Sequence, residues 1–154
     1  MRILIDADAC PVKEETYKVA LRHKVPVVVV SNSPIRVPQS ALITRKVVSD
    51  AFDAADDWIV EAIETDGGVA AVVITADILL ADRCLKLGAS VVAPNGKPFT
   101  TASIGSAVAT RAIMADLRAG GDIVGGPPPF GKQDRSRFLS ALDEVLVRML
   151  RAGR

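Results

Sequence analysis

The sequence predicts an α/β fold with a mostly parallel sheet covered by helices. Short apolar runs rich in valine and isoleucine recur along the 154 residues and are typical of strands buried on both faces. Segments with a single apolar helical face separate these runs, and Gly, Pro or Asn clusters mark the connections. Strands that alternate with helices form βαβ units, which build parallel sheets.

The amino-terminal part of the chain supplies a strand, a helix and a second strand. Arg2 to Asp6 is predicted to be a short buried strand. Pro11 opens a helix that runs to His23, because proline suits the first helical turn. Val27 to Val30 is apolar at every position, which predicts a strand buried on both faces, and the loop Ser31 to Pro34 ends it.

The central part continues the alternation. Lys46 to Ser49 is a shorter strand candidate, and a helix follows Asp53 and ends at Asp66 to Gly68. The apolar residues on one face of this helix are Trp58, Ile59, Ala62 and Ile63. The next elements are a strand from Ala70 to Thr75, a helix from Ile78 to Leu87 closed by Gly88, and a strand from Ser90 to Ala93.

The carboxyl-terminal part is predicted to contain two helices on either side of a stiff loop. The first helix covers Ser103 to Ala119, with Ser103 as its cap. Residues 120–131 are rich in Gly and Pro, which excludes a helix or a central strand. The last helix, Ser136 to Leu150, is expected to pack on the body through Phe138, Leu139, Leu142, Val145, Leu146 and Met149. Residues 1–154 are expected to form a single domain.

The composition predicts a cytoplasmic protein with no membrane partner. Hydrophobic residues make up 49% and charged residues 24%, which is typical of globular proteins and argues against disorder. No apolar run approaches the roughly 20 residues of a membrane span, and Asp6 and Asp8 stand where a signal peptide would be apolar. Cys10 and Cys84 are too few for a disulfide framework.

Charge is divided unequally along the chain, although the net charge is only +1. Residues 1–82 carry 8 Lys and Arg against 13 Asp and Glu, and residues 83–154 carry 11 against 5. This asymmetry suits a metal-binding face bordered by a surface that attracts phosphates. The alternative is scattered surface charge without a joint role.

Six aspartates follow apolar strands or begin helices: Asp6, Asp8, Asp53, Asp56, Asp57 and Asp77. In an open α/β sheet ligands bind outside the carboxyl ends of the strands, where Asp6 and Asp77 are expected to meet. Carboxylates packed together repel and raise one another's pKa, so a cation is expected to neutralise them. Hard divalent cations prefer carboxylate oxygens, which predicts an Mg²⁺ or Mn²⁺ site formed by Asp6, Asp8, Asp53, Asp57 and Asp77.

Structural roles compete with this interpretation, because aspartates often cap helices. Asp53 and Asp56 precede a helical run and are good candidates for caps. Asp6 and Asp77 each lie directly at the end of a buried strand, and neighbouring residues are available to cap the helices that follow. We therefore expect Asp6 and Asp77 to be functional.

Other chemistries have less support. His23 is the only histidine, and no Gly-x-Ser-x-Gly motif supports a Ser-His-Asp triad. Cys10, His23 and Cys84 lack the paired spacing of a zinc site, and Cys84 is expected to fill the core. Gly-x-Gly-x-x-Gly and Walker-type loops are absent, so the sequence does not support a nucleotide cofactor.

Five basic residues are candidates for binding substrate phosphate: Arg36, Arg111, Lys132, Arg135 and Arg137. Arg36 follows the Ser31 to Pro34 loop, and three of the others surround the proline-rich loop. For Arg135 and Arg137, the alternative is an ion pair with Asp134 or solvation of a helix start.

Several segments in combination resemble the bacterial YaiI/YqxD family, which is grouped with the PIN-like nucleases. They are Ile5 to Val12, Asp53 to Asp57, Thr75 to Ala81, Gly126 to Phe130 and Asp134 to Phe138. The similarity spans nearly the whole chain. It implies a Rossmann-like three-layer α/β/α sandwich in which acidic residues bind Mg²⁺ or Mn²⁺ and RNA phosphodiester bonds are cleaved, with water as the nucleophile.

The resemblance also implies catalytic residues. Asp6 resembles the aspartate that ends the first strand of PIN nucleases, Asp53 and Asp57 resemble the acids of the central helix, and Asp77 resembles the aspartate after the fourth strand. PIN nucleases commonly have a second acid soon after the aspartate that Asp77 resembles. In this chain the next acid is Asp82, five residues later, so the sequence lacks part of the pattern of a two-ion site. The proline-rich segment has no match in ordinary PIN domains.

Two alternatives remain open. Asp6-Ala7-Asp8 and Asp77 also resemble motifs of haloacid-dehalogenase-type phosphatases, in which Asp6 would be the nucleophile and Asp8 the general acid. Cys10 stands where that family has Thr or Val, and no clear lysine motif precedes Asp77. The other alternative is a noncatalytic nucleic-acid-binding module, for which an aromatic content of 4% offers little stacking surface.

Overall fold

The computed structural model describes residues 1–51, 53–67, 69–106 and 130–152. Six strands are present in these ranges: β1 (Arg2–Asp6), β2 (Val27–Ser31), β3 (Ile43–Val47), β4 (Ala71–Ile74), β5 (Ser90–Val92) and β6 (Pro98–Phe99). The helices are α1 (Lys13–His23), α2 (Ala54–Thr65), α3 (Ile78–Lys86), α4, whose described part covers 101–106, and α5 (Lys132–Ala152). A short 3-10 helix (Ala7–Ala9) follows β1. None of the helices in the described ranges is long and apolar enough to cross a membrane.

The strands form one sheet in the order β3-β2-β1-β4-β5-β6. β1 pairs in parallel with both β2 and β4, and only the short β6 is antiparallel to its neighbour. The predicted α/β fold with a mostly parallel sheet is confirmed. From β1 the chain builds the sheet outwards through β2 and β3 and then returns to place β4 on the other side of β1. This reversal opens a crevice at the carboxyl ends of β1 and β4, the usual place of a ligand site in such sheets.

Helices cover both faces of the sheet, which gives a three-layer α/β/α sandwich as predicted. Alternate side chains of a strand point to opposite faces, so Ile3 and Ile5 pack with α1 and α5, whereas Leu4 packs with α2 and α3. In α5 the side chains of Phe138 and Leu142 are fully buried and belong to the same apolar cluster as Ile3 and Ile5.

Two strands differ from the sequence prediction. The third strand is Ile43–Val47, not Lys46 to Ser49, and only its first residue is buried. This strand lies at the edge of the sheet, so it lacks the apolar pattern that identifies a buried strand. β6 was not predicted, because it has only two residues and begins with Pro98, which is compatible only with an edge position.

The two carboxyl-terminal helices begin earlier than predicted. α4 is capped by Thr100, not by Ser103: the Ser103 N–H donates to Thr100 Oγ1 at 3.1 Å, and the Thr100 N–H donates to Ser103 Oγ at 3.2 Å. α5 begins at Lys132, and a carboxylate oxygen of Asp134 in its first turn accepts the Gly131 N–H at 2.9 Å. Residues 107–119 of the predicted helix and 120–129 of the predicted loop lie outside the described residues.

Gly96→Ala is expected to destabilise the fold by about 2 kcal/mol or more. Gly96 has a φ of +87°, and a Cβ there would lie 2.7 Å from the carbonyl carbon of Arg137 in α5. Gly88→Ala is the matched control, because Gly88 has a φ of +86° with no atom within 4 Å of the added Cβ. Urea unfolding should show the larger loss for Gly96→Ala. Equal losses would contradict the close packing of this loop on α5.

Candidate functional site

A cleft of about 190 Å³ lies at the carboxyl ends of β1 and β4 and is lined by five aspartates: Asp6, Asp8, Asp53, Asp56 and Asp77. Asp6 ends β1, Asp77 follows β4, and Asp53 and Asp56 belong to the start of α2. The structure thus brings together four of the five residues that the sequence assigned to the metal site. The cleft lies at the crevice where the strand order reverses.

Thr75 connects the two central aspartates. Its hydroxyl donates to Asp6 Oδ2 at 2.8 Å and accepts the backbone N–H of Asp77 at 3.0 Å. Thr75 is only 1% exposed, so its hydroxyl would be costly to bury without these partners. The side chain of Thr75 therefore fixes the position of Asp6 relative to the turn that carries Asp77.

Asp77 caps helix α3, contrary to the expectation that neighbouring residues would do so. Its Oδ1 accepts the backbone N–H groups of Leu79 at 2.9 Å and Leu80 at 3.2 Å. The first N–H groups of a helix lack intrahelical acceptors, and an aspartate directly before the helix supplies one. The cap holds the carboxylate rigidly, and Oδ2 has no hydrogen-bond partner among the described residues.

Asp8 is held by Asn32 in the loop after β2. Both carboxylate oxygens of Asp8 accept the Asn32 backbone N–H at 3.0 Å. The side-chain amide of Asn32, oriented with its nitrogen toward Asp8, donates to the same carboxylate. Asp8 therefore ties the segment after β1 to the loop after β2.

Asp53 stands at the amino-terminal cap position of α2, but its side chain makes no capping hydrogen bond. Its backbone is left-handed, with a φ of +63°. Such a conformation is uncommon for a residue other than glycine, although aspartate tolerates it better than most. The expected capping role of Asp53 is therefore absent, and its carboxylate is available to the cleft.

The structure places Asp56 in the cleft and Asp57 outside it. Successive residues of a helix point about 100° apart, so only one of the two neighbours can face the sheet edge. The carboxylate of Asp57 is 64% exposed and pairs with Arg83 of α3 at 3.0 Å. The sequence prediction assigned the site role to Asp57 and a cap role to Asp56. The structure instead places Asp56 in the cleft and Asp57 outside it, in an ion pair with Arg83.

The carboxyl groups in the cleft influence one another's protonation. Burial, followed by the charges of Asp77, Asp6 and Asp53, raises the pKa of Asp56 to about 7, against a lowering by Arg83. Burial also raises the pKa of Asp6, while the hydrogen bond from Thr75 opposes this shift. At neutral pH the ionised carboxylates of the cleft therefore repel one another, and the surrounding groups do not fully offset this repulsion.

The cleft does not enclose an ion by itself. In the described ranges, no three His, Cys, Asp or Glu side chains are grouped closely enough to hold one metal ion. Mg²⁺ keeps several of its waters and commonly uses only one or two protein carboxylates together with substrate phosphate. An open set of oxygen donors is compatible with that mode of binding and does not favour zinc.

The four predicted phosphate-binding residues that the structure describes do not line this cleft. Arg135 Nη1 donates to the Pro11 carbonyl oxygen at 2.6 Å and pairs with Glu15 at 3.0 Å. Arg137 lies 3.7 Å from Asp134, an ion-pair alternative already apparent in the sequence.

The other basic residues are placed as follows. Lys132 is exposed at the start of α5, and Arg36 is exposed in the loop after β2. Arg111 lies outside the described residues. Arg83 is close enough to the cleft to lower the pKa of Asp56.

The histidine and cysteines have structural roles. His23 Nε2 contacts Asp143 Oδ1 at 2.6 Å and joins α1 to α5. Cys84 is buried in the core as expected, and burial raises its pKa to about 12. Burial also raises the pKa of Cys10. Neither thiol has the lowered pKa of a catalytic cysteine.

Comparison with known proteins shows the family. A family model described as "Uncharacterized BCR, YaiI/YqxD family" matches residues 4–148. The chain belongs to this family. A UPF0178 protein of Sphingopyxis alaskensis is 70% identical over 150 residues, which cover 97% of this chain and 95% of that protein. The UPF0178 protein bll3966 of Bradyrhizobium diazoefficiens is 57% identical and covers 97% of this chain and 87% of its own length. No solved structure matches the chain.

Four residues of this YaiI/YqxD protein contribute to the cleft in ways that the sequence prediction did not assign: Asp56, Thr75, Asn32 and Arg83. Thr75 stands at the end of an apolar strand and two residues before Asp77, which was a usable signal for a hydrogen-bonding role. Nothing in the sequence indicates that Asn32 reaches Asp8 or that Arg83 reaches Asp57. Those contacts depend on the packing of separate segments.

Proposed function

We propose that this YaiI/YqxD protein is a metal-dependent hydrolase that cleaves RNA phosphodiester bonds. The observation that carries the proposal is the assembly of five carboxylates in one cleft at the crevice between β1 and β4. Aspartates from separate parts of the chain converge there, although their mutual repulsion destabilises the fold. A bound divalent cation offsets this repulsion. The proposal agrees with what the resemblance to PIN-like nucleases implies.

The donor set fits Mg²⁺ or Mn²⁺. Among the described residues, every charged group that lines the cleft is a carboxylate, and hard cations prefer such oxygen ligands. We assign the ion to the part of the cleft between Asp6, Asp53, Asp56 and Asp77, where one or two of these carboxylates would bind it directly and water would complete its coordination. A cation there would stabilise negative charge on a phosphoryl group and favour the hydroxide form of water. Asp57 is not part of this set, because its carboxylate pairs with Arg83 outside the cleft.

The remaining residues of the cleft position these carboxylates. Thr75 orients Asp6, and the capping hydrogen bonds from Leu79 and Leu80 orient Asp77. Asp56 is half protonated near pH 7 because of its raised pKa. Binding of a cation at neutral pH therefore releases a proton from Asp56, since the ion favours the ionised carboxylate.

The haloacid-dehalogenase-like alternative requires Asp8 to donate a proton. Both oxygens of Asp8 accept the same Asn32 backbone N–H, so Asp8 would have to give up part of this contact to donate a proton to a leaving group. This contact favours the nuclease over the phosphatase. The third candidate is a module that binds nucleic acid without cleaving it, and it predicts RNA binding with no cleavage.

Incubation of metal-free protein with single-stranded RNA and with p-nitrophenyl phosphate tests the proposal. We expect cleavage of RNA that requires Mn²⁺ or Mg²⁺ and stops in excess chelator, with no release of phosphate from the monoester. Phosphate release from the monoester alone would support the phosphatase instead. Binding of RNA without cleavage in either metal would support the noncatalytic module.

A further inference from the structure

An apolar groove of about 370 Å³ lies beside the acidic cleft and has no role in the chemistry assigned so far. Two of its wall residues are Ala76 and Ile78, and Phe99 and Phe130 supply aromatic surface. The chain contains only six aromatic residues, so two in one groove are a local concentration that the low overall content conceals. Aromatic faces of this kind offer stacking surface to a planar ligand.

The groove and the acidic cleft share one segment of backbone. Ala76 and Ile78 flank Asp77, whose carboxylate lines the cleft, so the two sites lie on either side of the turn after β4. A molecule that places an anionic group at the carboxylates and their cation can therefore extend its adjoining part into the groove. The part of the molecule that enters the groove must be apolar and planar to pack against the groove walls.

Contacts with α1 hold the aromatic rim in place. The guanidinium of Arg135 lies 5.1 Å from the centre of the Phe130 ring, within the range of a cation–π contact. The same guanidinium is anchored by the Pro11 carbonyl oxygen at 2.6 Å and by Glu15 at 3.0 Å. Phe130 is nevertheless 36% exposed, so its ring is fixed on one side and accessible to a ligand on the other.

One polar side chain lies among the apolar walls. Asn95 lines the groove, and its Oδ1 accepts the Lys97 backbone N–H at 3.0 Å. This hydrogen bond orients the amide, and Nδ2 has no partner among the described residues. A donor at a single point in an aromatic groove suits a heterocycle that carries carbonyl or ring-nitrogen acceptors.

We propose that this groove binds the nucleobase of the nucleotide whose phosphate is held at the acidic cleft. The inference rests on the proposed function and deepens it, because it makes the substrate a single-stranded RNA with an unpaired base next to the cleaved bond. A nucleotide combines the required parts: a phosphate for the cation at the carboxylates and a planar base with acceptors for the groove. A base paired within a duplex is not free to stack on Phe130.

Binding in the absence of chemistry tests the inference. In an Asp6→Asn background, the affinity for a short oligoadenylate is compared with that for an abasic sugar–phosphate strand of the same length. We expect Phe130→Ala to weaken oligoadenylate binding about 10-fold and to leave abasic-strand binding unchanged. Leu21→Ala is the matched control, since Leu21 is a 41% exposed apolar residue of α1 outside the groove. Thermal unfolding verifies that each variant is folded.

The outcomes separate the two proposals. A base-dependent loss in Phe130→Ala supports the groove as a base site even where the wild type cleaves no RNA. Equal weakening of both strands, or no weakening of either, overturns the base site even where Mn²⁺-dependent cleavage is observed. A loss of the same size in Leu21→Ala also overturns it, because the effect would then not depend on the groove.

Discussion

Asp6→Asn is expected to lower Mn²⁺-dependent RNA cleavage by about 1000-fold, which corresponds to roughly 4 kcal/mol of transition-state stabilisation. Asp6 lies at the centre of the cleft, at the end of a buried strand, and is fixed by the hydroxyl of Thr75. Asparagine has the same shape and can still accept this hydrogen bond, but it lacks the negative charge that holds a cation. The measurement is the initial rate on single-stranded RNA at saturating Mn²⁺.

Asp57→Asn is the matched control for this experiment. Asp57 belongs to the same cluster of aspartates in the sequence, yet its carboxylate is exposed and pairs with Arg83. We expect this variant to retain activity within a few-fold of the wild type. An equal loss in both variants would contradict the geometry of the cleft, and activity retained in Asp6→Asn would contradict the assignment of the metal site.

The stability of Asp6→Asn distinguishes loss of chemistry from loss of fold. Burial raises the pKa of Asp6, so the folded protein favours the neutral form of this side chain. Asparagine is neutral at every pH, and metal-free Asp6→Asn should therefore be at least as stable as the wild type at pH 8. Thermal unfolding is measured on the same preparation, because a loss of activity in Asp6→Asn reports on the metal site only if the variant is folded.

The elements that the sequence predicted well are those whose residues carry a strong local pattern. Val27 to Val30 is a run of four valines, and the face of α5 that contains Phe138 and Leu142 has clear helical spacing. In such segments burial and local preference favour the same structure. β3 and β6 were placed wrongly or missed, because edge strands are short and half exposed and therefore lack this pattern.

The sequence was sufficient to predict where the site lies and that aspartates form it. Asp6 ends β1 and Asp77 follows β4, and neighbouring parallel strands bring such positions to one edge of the sheet. The distinction between Asp56 and Asp57 was not predictable, because it depends on the rotation of α2 about its axis. That rotation is set by the packing of Ala55, Ile59 and Val60 on the sheet.

The assignment of Arg135 shows a different limit. The sequence indicates a cation next to a proline-rich loop, for which phosphate binding is a reasonable expectation. Its actual contacts, Pro11 and Glu15, are more than a hundred residues away in the chain. Long-range partners of this kind are invisible to local spacing. The contacts with Pro11 and Glu15 hold the Arg135 guanidinium against the ring of Phe130.

Asp56→Asn is expected to stabilise the metal-free protein at pH 8 by about 1–2 kcal/mol and to have little effect at pH 4. The ordinary pKa of this carboxyl is 3.8, and burial together with Asp77, Asp6 and Asp53 raises it to about 7 in the folded protein. A raised acid pKa means that the folded state binds the proton more tightly than the unfolded state. Its contribution to stability is therefore complete below about pH 4 and is lost as the pH rises through 7.

The size of this effect is limited by solvent. Asp56 is only partly buried, so solvent screens its charge and reduces the free energy that accompanies its raised pKa. Asparagine resembles the protonated acid in shape and remains neutral over the whole range. The free energy of unfolding of Asp56→Asn should consequently fall less than that of the wild type between pH 4 and pH 8, as measured by urea unfolding in chelator.

Asp57→Asn again provides the comparison, because it removes an exposed carboxylate from the same helical turn. A surface ion pair contributes about 1 kcal/mol at most, and its loss should change the stability by a similar amount at pH 6 and pH 8. Parallel pH dependence in the wild type, Asp56→Asn and Asp57→Asn would show that the cleft carboxylates do not interact as their placement requires.

A divalent cation should remove the difference between the wild type and Asp56→Asn. Mn²⁺ at 100 times its dissociation constant stabilises the folded protein by about 2.7 kcal/mol if it binds only that state. The wild type should gain this stabilisation at pH 8 and lose it at pH 5, where protons compete for Asp56, whereas Asp56→Asn should gain less at both pH values. Equal stabilisation of both proteins by Mn²⁺ would place the ion away from Asp56.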